Sequence, residues 1–247
     1  MTELSLLQLA FVGLIFVWSG FVRAGLGFGG NAMTLPLALL VIDDPILWLP
    51  IFASHLLVFS TVALYGRLDN IEWRYLWRAL VILIIPKIAG VFGLLNLPTD
   101  LVVNAIYVIT GVYAVTYILD TGFRSSGRVL DTVLLVIGGY ASGVSLIGAP
   151  LISAVFTRHV PLHKVRDTLF FLWVILVSIK MSTFIAMDVD LQLSTMCLLL
   201  LPASLGHWLG SRAHQALIRG DGRRFKIVLG CALLGVCSYG LWTGIVT

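Results

Sequence analysis

The chain has 247 residues, of which 59% are hydrophobic and 11% charged, with a formal net charge of +4; soluble globular chains run at roughly 45–50% and 25%. Too little polar surface remains to face water on every side, which excludes a soluble enzyme, and nucleic-acid binding as the main activity. At ~20 apolar residues per crossing of a ~30 Å hydrocarbon core, this length holds about eight to ten spans with short connections and no separate soluble domain.

Reading apolar runs between charged or turn-rich breaks gives ten segments: 4–22, 31–42, 47–65, 74–95, 101–119, 130–142, 144–157, 168–187, 193–213 and 225–246. The start, Met1, Thr2 and Glu3 followed by apolar residues from Leu4, lacks the positive region of a cleaved signal peptide, so the first segment is expected to be retained. Seven segments are long enough to cross. Segments 31–42, 130–142 and 144–157 are short, because ~12–14 residues at ~1.5 Å each cover only ~20 Å. In each half, a glycine-rich break joins the first two segments, as in a hairpin that dips into the membrane and returns, although 4–22 is also long enough to cross fully.

The order repeats. The stretch Gly20 to Pro36, with Gly25, Gly27, Gly29 and Gly30, is echoed about 119 positions later by Gly139, Gly143, Gly148 and Pro150, and Pro86 with Gly90 is echoed by Pro202 with Gly206. The expected fold is all-α, a polytopic integral membrane protein built as an inverted-topology repeat. Each half holds a glycine-broken helical hairpin plus three spans. The first repeat is 1–122 (hairpin 4–42, spans 47–65, 74–95 and 101–119) and the second 123–247 (hairpin 130–157, spans 168–187, 193–213 and 225–246).

Loop charge supports the inversion, since cytoplasmic loops concentrate Lys and Arg. Successive connections carry Asp43 and Asp44, then Arg67, Arg74 and Arg78, then Asp100. Their counterparts carry Arg158, Lys164 and Arg166, then Asp188 and Asp190, then Arg212, Arg219, Arg223, Arg224 and Lys226. Acidic, basic, acidic becomes basic, acidic, basic. The middle connector holds Arg124 and Arg128, which places it inside and both termini outside the cytoplasm. Trp48, Trp73 and Trp77 fall near segment ends, where interfacial anchoring is expected.

All twelve acidic residues lie at or beyond segment ends, whereas the ionisable residues within the spans are Lys87, Lys180, His55 and His207, with Arg23 at the glycine break. A cation at the bilayer centre costs at least ~2.5–3.5 kcal/mol and needs a partner. Lys87 and Lys180 lie about ten and about twelve residues from the basic ends of their spans, near mid-membrane at ~1.5 Å per residue. With no acid at depth, the economical partner is a diffusible anion; the other option is that each lysine snorkels, or bonds backbone carbonyls beside Pro86 or on a neighbouring span. Arg23 fits either the binding centre or the cytoplasmic face. His159, His163 and His214 sit in basic connections and are expected to be solvated.

Gly25-x-Gly27-x-x-Gly30 satisfies the dinucleotide fingerprint literally, but the context is two apolar arms and not a strand and helix of a βαβ unit. Here the glycines permit tight turns and leave N–H groups uncovered where the next arm begins, at Gly29, Gly30 and Asn31 and again at Gly148 and Ala149, each a positive helix end facing an anion. Gly139 with Gly143 and Gly206 with Gly210 read as close helix packing. Ser54, Ser60, Thr61, Ser178, Ser182 and Thr183 line the spans bearing His55 and Lys180, where they can donate to a ligand, although most serines in spans bond their own backbone. Cys197, Cys231 and Cys237 lie in apolar runs without metal-ligand spacing. No cofactor or metal is expected.

The glycine-rich break ending at Pro36, its echo at Gly143 to Pro150, and the Pro86/Gly90 and Pro202/Gly206 pairs give the chain, over nearly its whole length, a pattern that resembles the sulfite exporter TauE/SafE family. The resemblance implies a multi-pass permease of the bacterial inner membrane that moves sulfite, sulfoacetate or related organosulfur anions, usually outward, with substrate near the two glycine-rich segments. The chain departs from the family pattern at Val144 to Pro150, which has lost most of the glycines, and at Asn31, where a further glycine is common. The partners expected are a small anion and the lipid bilayer, with no nucleic acid and with a homo-oligomer left open. The alternative is a membrane-embedded metal- or proton-handling enzyme or assembly factor using His55 and His207. A scaffold packed through its glycine faces gives no reason for isolated cations at depth.

Overall fold

The computed structural model describes residues 5–26, 30–123, 125–219 and 222–246. Among these residues the chain forms ten α-helices and no strand: α1 (Leu6–Leu26), α2 (Gly30–Leu39), α3 (Pro45–Leu64), α4 (Trp73–Asn96), α5 (Thr99–Ile118), α6 (Arg128–Ser145), α7 (Ala149–His159), α8 (Leu162–Ala186), α9 (Leu193–Arg219) and α10 (Gly222–Val246), with a 3-10 turn at Leu68–Asn70. All but α2 and α7 are long and apolar enough to cross a bilayer, eight candidate spans in all. The chain is therefore a polytopic helical membrane protein.

The second hairpin departs from expectation. Its first arm was expected to be the short segment 130–142, with a second arm from Val144, yet α6 runs unbroken to Ser145 and has 18 residues, enough to cross. Gly143 does not break the helix; it is a contact point, because a Cβ there would sit 2.4 Å from the Lys87 carbonyl oxygen on α4. The break comes later, where Leu146 takes φ +60°, in the left-handed region, and its N–H closes on the Ser142 carbonyl at 3.1 Å. α8 likewise starts at Leu162 and not at Thr168, drawing Lys164, Arg166 and Asp167 into its first turns.

Trp48 also departs from its expected role as an interfacial anchor. It is fully buried, stacks obliquely near Phe16, and donates its indole N–H to the Ile42 carbonyl at 2.9 Å, satisfying the turn between α2 and α3. Trp73 and Trp77 are exposed, as anchors should be.

The chain divides into two compact units, and each takes helices from both halves of the sequence: residues 1–48, 98–122 and 192–247 in one, 49–97 and 123–191 in the other. In the first unit α1 lies directly on α9. A Cβ at Gly20 would fall 2.0 Å from the Ala203 carbonyl oxygen, one at Gly206 1.8 Å from that of Val17, and one at Gly210 2.3 Å from that of Phe21. Backbone meets backbone here, which only small residues allow, and lipid-immersed helices gain their packing this way. Val22, Met33, Ala114, Leu229 and Leu233 from α1, α2, α5 and α10 form the core beside this seam.

The second unit repeats the device. α4 lies on α6 with Gly90 against Gly143, a Cβ on either coming within 3 Å of the other's Cα. α7 folds back onto α6 because Gly148 presses on Gly138, where a Cβ would stand 2.0 Å from the Gly138 carbonyl oxygen. The turn before α4 is tied to α8: Asn70 donates to the His163 carbonyl and to Asp167, the Glu72 N–H donates to Thr168 Oγ1 at 3.0 Å, and Lys164 reaches Glu72 at 3.2 Å. Asp131 and Asp167 lie near helix starts, as expected of the acidic residues, but both are buried and bonded.

Candidate functional site

α8 presents one buried stripe, Val165, Leu169, Leu172, Leu176, Lys180 and Phe184, at the three- and four-residue spacing of a helix face. A lysine in that stripe cannot reach water, and Lys180 is 0% exposed. On α4, Lys87 follows Pro86 and sits one turn from Gly90, so the close approach of α4 to α6 carries it inside as well, again at 0% exposure.

Both side chains run to the same place, the C-terminal end of α6. The Lys87 ammonium donates to the Ser142 carbonyl at 2.8 Å and to Ser142 Oγ at 3.0 Å. The Lys180 ammonium donates to the Gly143 carbonyl at 2.7 Å and the Val144 carbonyl at 3.2 Å, and stands 5.3 Å from the Phe184 ring centroid. The last carbonyls of a helix lack intrahelical partners and carry the negative end of its dipole, so two cations there are electrostatically placed. Of the two kinds of partner weighed from sequence, the protein supplies backbone carbonyls of a neighbouring span. An ammonium has three N–H donors; each lysine spends two.

The remaining expected residues fall into separate groups. In the second unit, Gly148 and Ala149 open α7 directly beyond the α6 terminus, with Gly148 pressed against α6 as described. His55 is fully buried on α3, with its ring edge-on to Phe59 at 6.4 Å. In the first unit, Arg23 is 5% exposed and donates to Ser19 Oγ at 3.3 Å, and its Cβ lies 3.2 Å from where a Cβ on Gly30 would stand, so Arg23 packs against the first residue of α2. Asn31 is buried on the same helix, and Thr34 Oγ1 donates to the Gly30 carbonyl at 2.7 Å. His207 lies on α9 where its backbone approaches Gly20. Gly29 lies outside the described residues.

Ser178, Ser182 and Thr183 line a groove of about 670 Å³ with Phe92, away from the face of α8 that bears Lys180, and Thr183 bonds the Ile179 carbonyl. His159, expected to be solvated, is exposed yet bonded to Asp131 at 2.8 Å and stacked on Tyr75 at 4.9 Å. The partner that sequence reading missed is Ser142. Its signal was its position, one residue before Gly143 and in the last turn of what proves to be a full-length helix.

Eight apolar helices long enough to cross a bilayer and the glycine seams between them define the class: a polytopic helical membrane protein. Residues 12–240 match the model of the family described as Sulfite exporter TauE/SafE, and the chain belongs to that family. Membership implies a membrane transporter of sulfite-type anions and not an enzyme. Comparison with curated proteins and with solved structures gives no match.

Proposed function

We propose that the protein is an exporter of sulfite or a related sulfonate across the bacterial inner membrane, working by alternating access between two inverted repeats with both termini outside. The observation that carries this reading is the convergence of Lys87 and Lys180 on the end of α6, each with one N–H donor to spare. An oxyanion of two or three oxygens bridges two such ammonium groups, and the N–H groups opening α7 at Gly148 and Ala149 offer a positive helix end beside them. Gly30 and Asn31, with Arg23, make the corresponding end in the first repeat, and His55 and His207 are further polar groups on α3 and α9.

In this reading the carbonyls of α6 stand in for the anion in the closed state. Both ammonium groups are sealed from solvent, so the anion binds only when the α4, α6 and α8 contacts loosen, and the lysines exchange carbonyl oxygens for anion oxygens as the unit opens. With the interior negative, outward movement of one negative charge gains ~2.3 kcal/mol per 100 mV, so export needs no coupling ion. The histidine-based enzyme is not favoured: among the described residues no three His, Cys, Asp or Glu side chains gather into a ligand set.

The test is radiolabelled sulfite flux in proteoliposomes for wild type, Lys87→Ala and Lys180→Ala, with size-exclusion elution as the control for folding. Flux at least ~10-fold lower in a folded variant is expected, corresponding to ~1.4 kcal/mol or more of lost anion stabilisation. Undiminished flux in both variants removes the site.

A further inference from the structure

A second positively charged place lies at the start of α4, on the side of the second unit that the loop charges assign to the cytoplasm. Arg74, Tyr75 and Arg78 from α4, Arg128 from the first turn of α6 and His159 from the end of α7 line a cleft of about 490 Å³ with Glu72, a size within the ~300–1,000 Å³ of small-ligand sites. Glu72 is engaged by Lys164 at 3.2 Å, and no ion pair among the described residues involves Arg74, Arg78 or Arg128. Arg74 and Arg78 are four residues apart on one helix, a spacing at which like charges repel.

The cleft is built, not merely open. Asp131 accepts from Arg158 at 3.0 Å and from His159 at 2.8 Å and is bonded by Ser125. This fixes His159, on which Tyr75 stacks at 4.9 Å while setting its edge against Phe156 at 5.1 Å. The result is an aromatic wall in a cleft lined also by three arginines. Neither α4 nor α6 has a side-chain cap at its N-terminus, so both helix ends add positive potential. Trp73 and Trp77, both exposed on α4, flank the arginines, which is the position of residues that sit at headgroup depth.

The geometry points to a binding site for the phosphate of an anionic phospholipid headgroup, phosphatidylglycerol or cardiolipin, seated among Arg74, Arg78 and Arg128 against the Tyr75/His159 wall. Guanidinium forks match phosphate oxygens in pairs, and basic pockets between membrane helices on the cytoplasmic side take such headgroups. A soluble oxyanion shares the chemistry but has no use for the two exposed tryptophans that neighbour the arginines along α4, Trp73 packed on Phe171 at 4.9 Å and Trp77. The full-length protein holds the site whether or not Lys87 and Lys180 bind cargo.

The experiment is native mass spectrometry of the full chain, released from nanodiscs that contain phosphatidylcholine with or without phosphatidylglycerol, for wild type and for R74Q/R78Q/R128Q. Thermal midpoints are measured in parallel. Wild type is expected to retain phosphatidylglycerol and to gain thermal stability from it. In the triple variant, preference over phosphatidylcholine falls roughly 100-fold, from the contribution of each basic residue near a membrane surface. If the triple variant does not elute as a folded species, R128Q alone is measured, with an expected loss of about fivefold. Retention equal in wild type and variant overturns the site, as does the absence of any preference in wild type. A midpoint rise given equally by inorganic phosphate in pure phosphatidylcholine, and lost in R74Q/R78Q/R128Q, assigns the cleft to soluble anions and overturns the lipid.

Discussion

Lys180 and Lys87 look equivalent in sequence, yet their hydrogen bonds make their removal unequal. Lys180→Met strips the Gly143 and Val144 carbonyls of donors at 2.7 and 3.2 Å. α6 ends at Ser145, and the backbone N–H that returns to its last turn, from Leu146, goes to Ser142. Two buried carbonyls are thus orphaned, at ~1–3 kcal/mol each, or about 2–6 kcal/mol together. Lys87→Met leaves the Ser142 carbonyl with its Leu146 donor at 3.1 Å. Both variants also lose two charge-assisted bonds and are relieved of several kcal/mol of ammonium desolvation, since both lysines are fully buried; these contributions cancel between the variants, and the orphaned carbonyls set the difference. Intrinsic tryptophan fluorescence during heating in one detergent gives the comparison. A difference of ~2 kcal/mol places the Lys180→Met midpoint roughly 4–8 °C below that of Lys87→Met. A loss in Lys87→Met equal to or greater than that in Lys180→Met would refute the assignment of the α6 carbonyls as the structural partners of Lys180.

Other outcomes follow from packing and charge. Gly20→Ala and Gly206→Ala each force a Cβ to within 2.0 Å or less of a backbone oxygen across the α1/α9 seam and are expected to cost at least ~1–3 kcal/mol, whereas Gly13→Ala and Gly235→Ala, with open space around them, are expected to be neutral or to gain up to ~1 kcal/mol of helix propensity; chemical denaturation of the four variants in mixed micelles tests this. Asp43, in the turn between α2 and α3, has its carboxyl held above the ordinary aspartate value by burial first and then by the charges of Asp100 and Asp44. The folded state therefore holds that proton more tightly than the unfolded state, so Asp43 lowers stability as pH rises from the ordinary aspartate value through the raised one; Asp100→Asn should reduce this loss, read as a flatter dependence of the thermal midpoint on pH in the acidic range. If export carries one net negative charge uncoupled, a potassium–valinomycin potential of 100 mV, negative at the substrate side, should shift the equilibrium distribution of sulfite by roughly 50-fold, and an insensitive distribution would exclude uncoupled anion movement.

Much of the architecture was legible because a bilayer demands long apolar helices, and nothing else accounts for a chain this poor in charge. The ten segments were readable as runs. The glycine pairs at Gly206 and Gly210 and at Gly139 and Gly143 were readable as packing faces, since without a Cβ they have little else to contribute within a helix. The extent of α6 was not legible: Gly143 looks the same in sequence whether it ends a helix or admits a neighbouring one, and its contact with Gly90, 53 positions away, distinguishes the two. Trp48 was misread for a similar reason, its place at a segment end being compatible with either lipid headgroups or a buried carbonyl.

The sequence alone determined that two lysines lie within apolar helices with no acid at comparable depth. That follows from composition and order, which are local. Which oxygens those lysines meet was decided by tertiary structure, because the acceptors are main-chain carbonyls present at every residue and invisible in any pattern of side chains. They become partners for Lys87 and Lys180 only where α6 ends, leaving its last turn without donors, and where Gly90 and Gly143 let α4 approach closely enough for an ammonium to reach them.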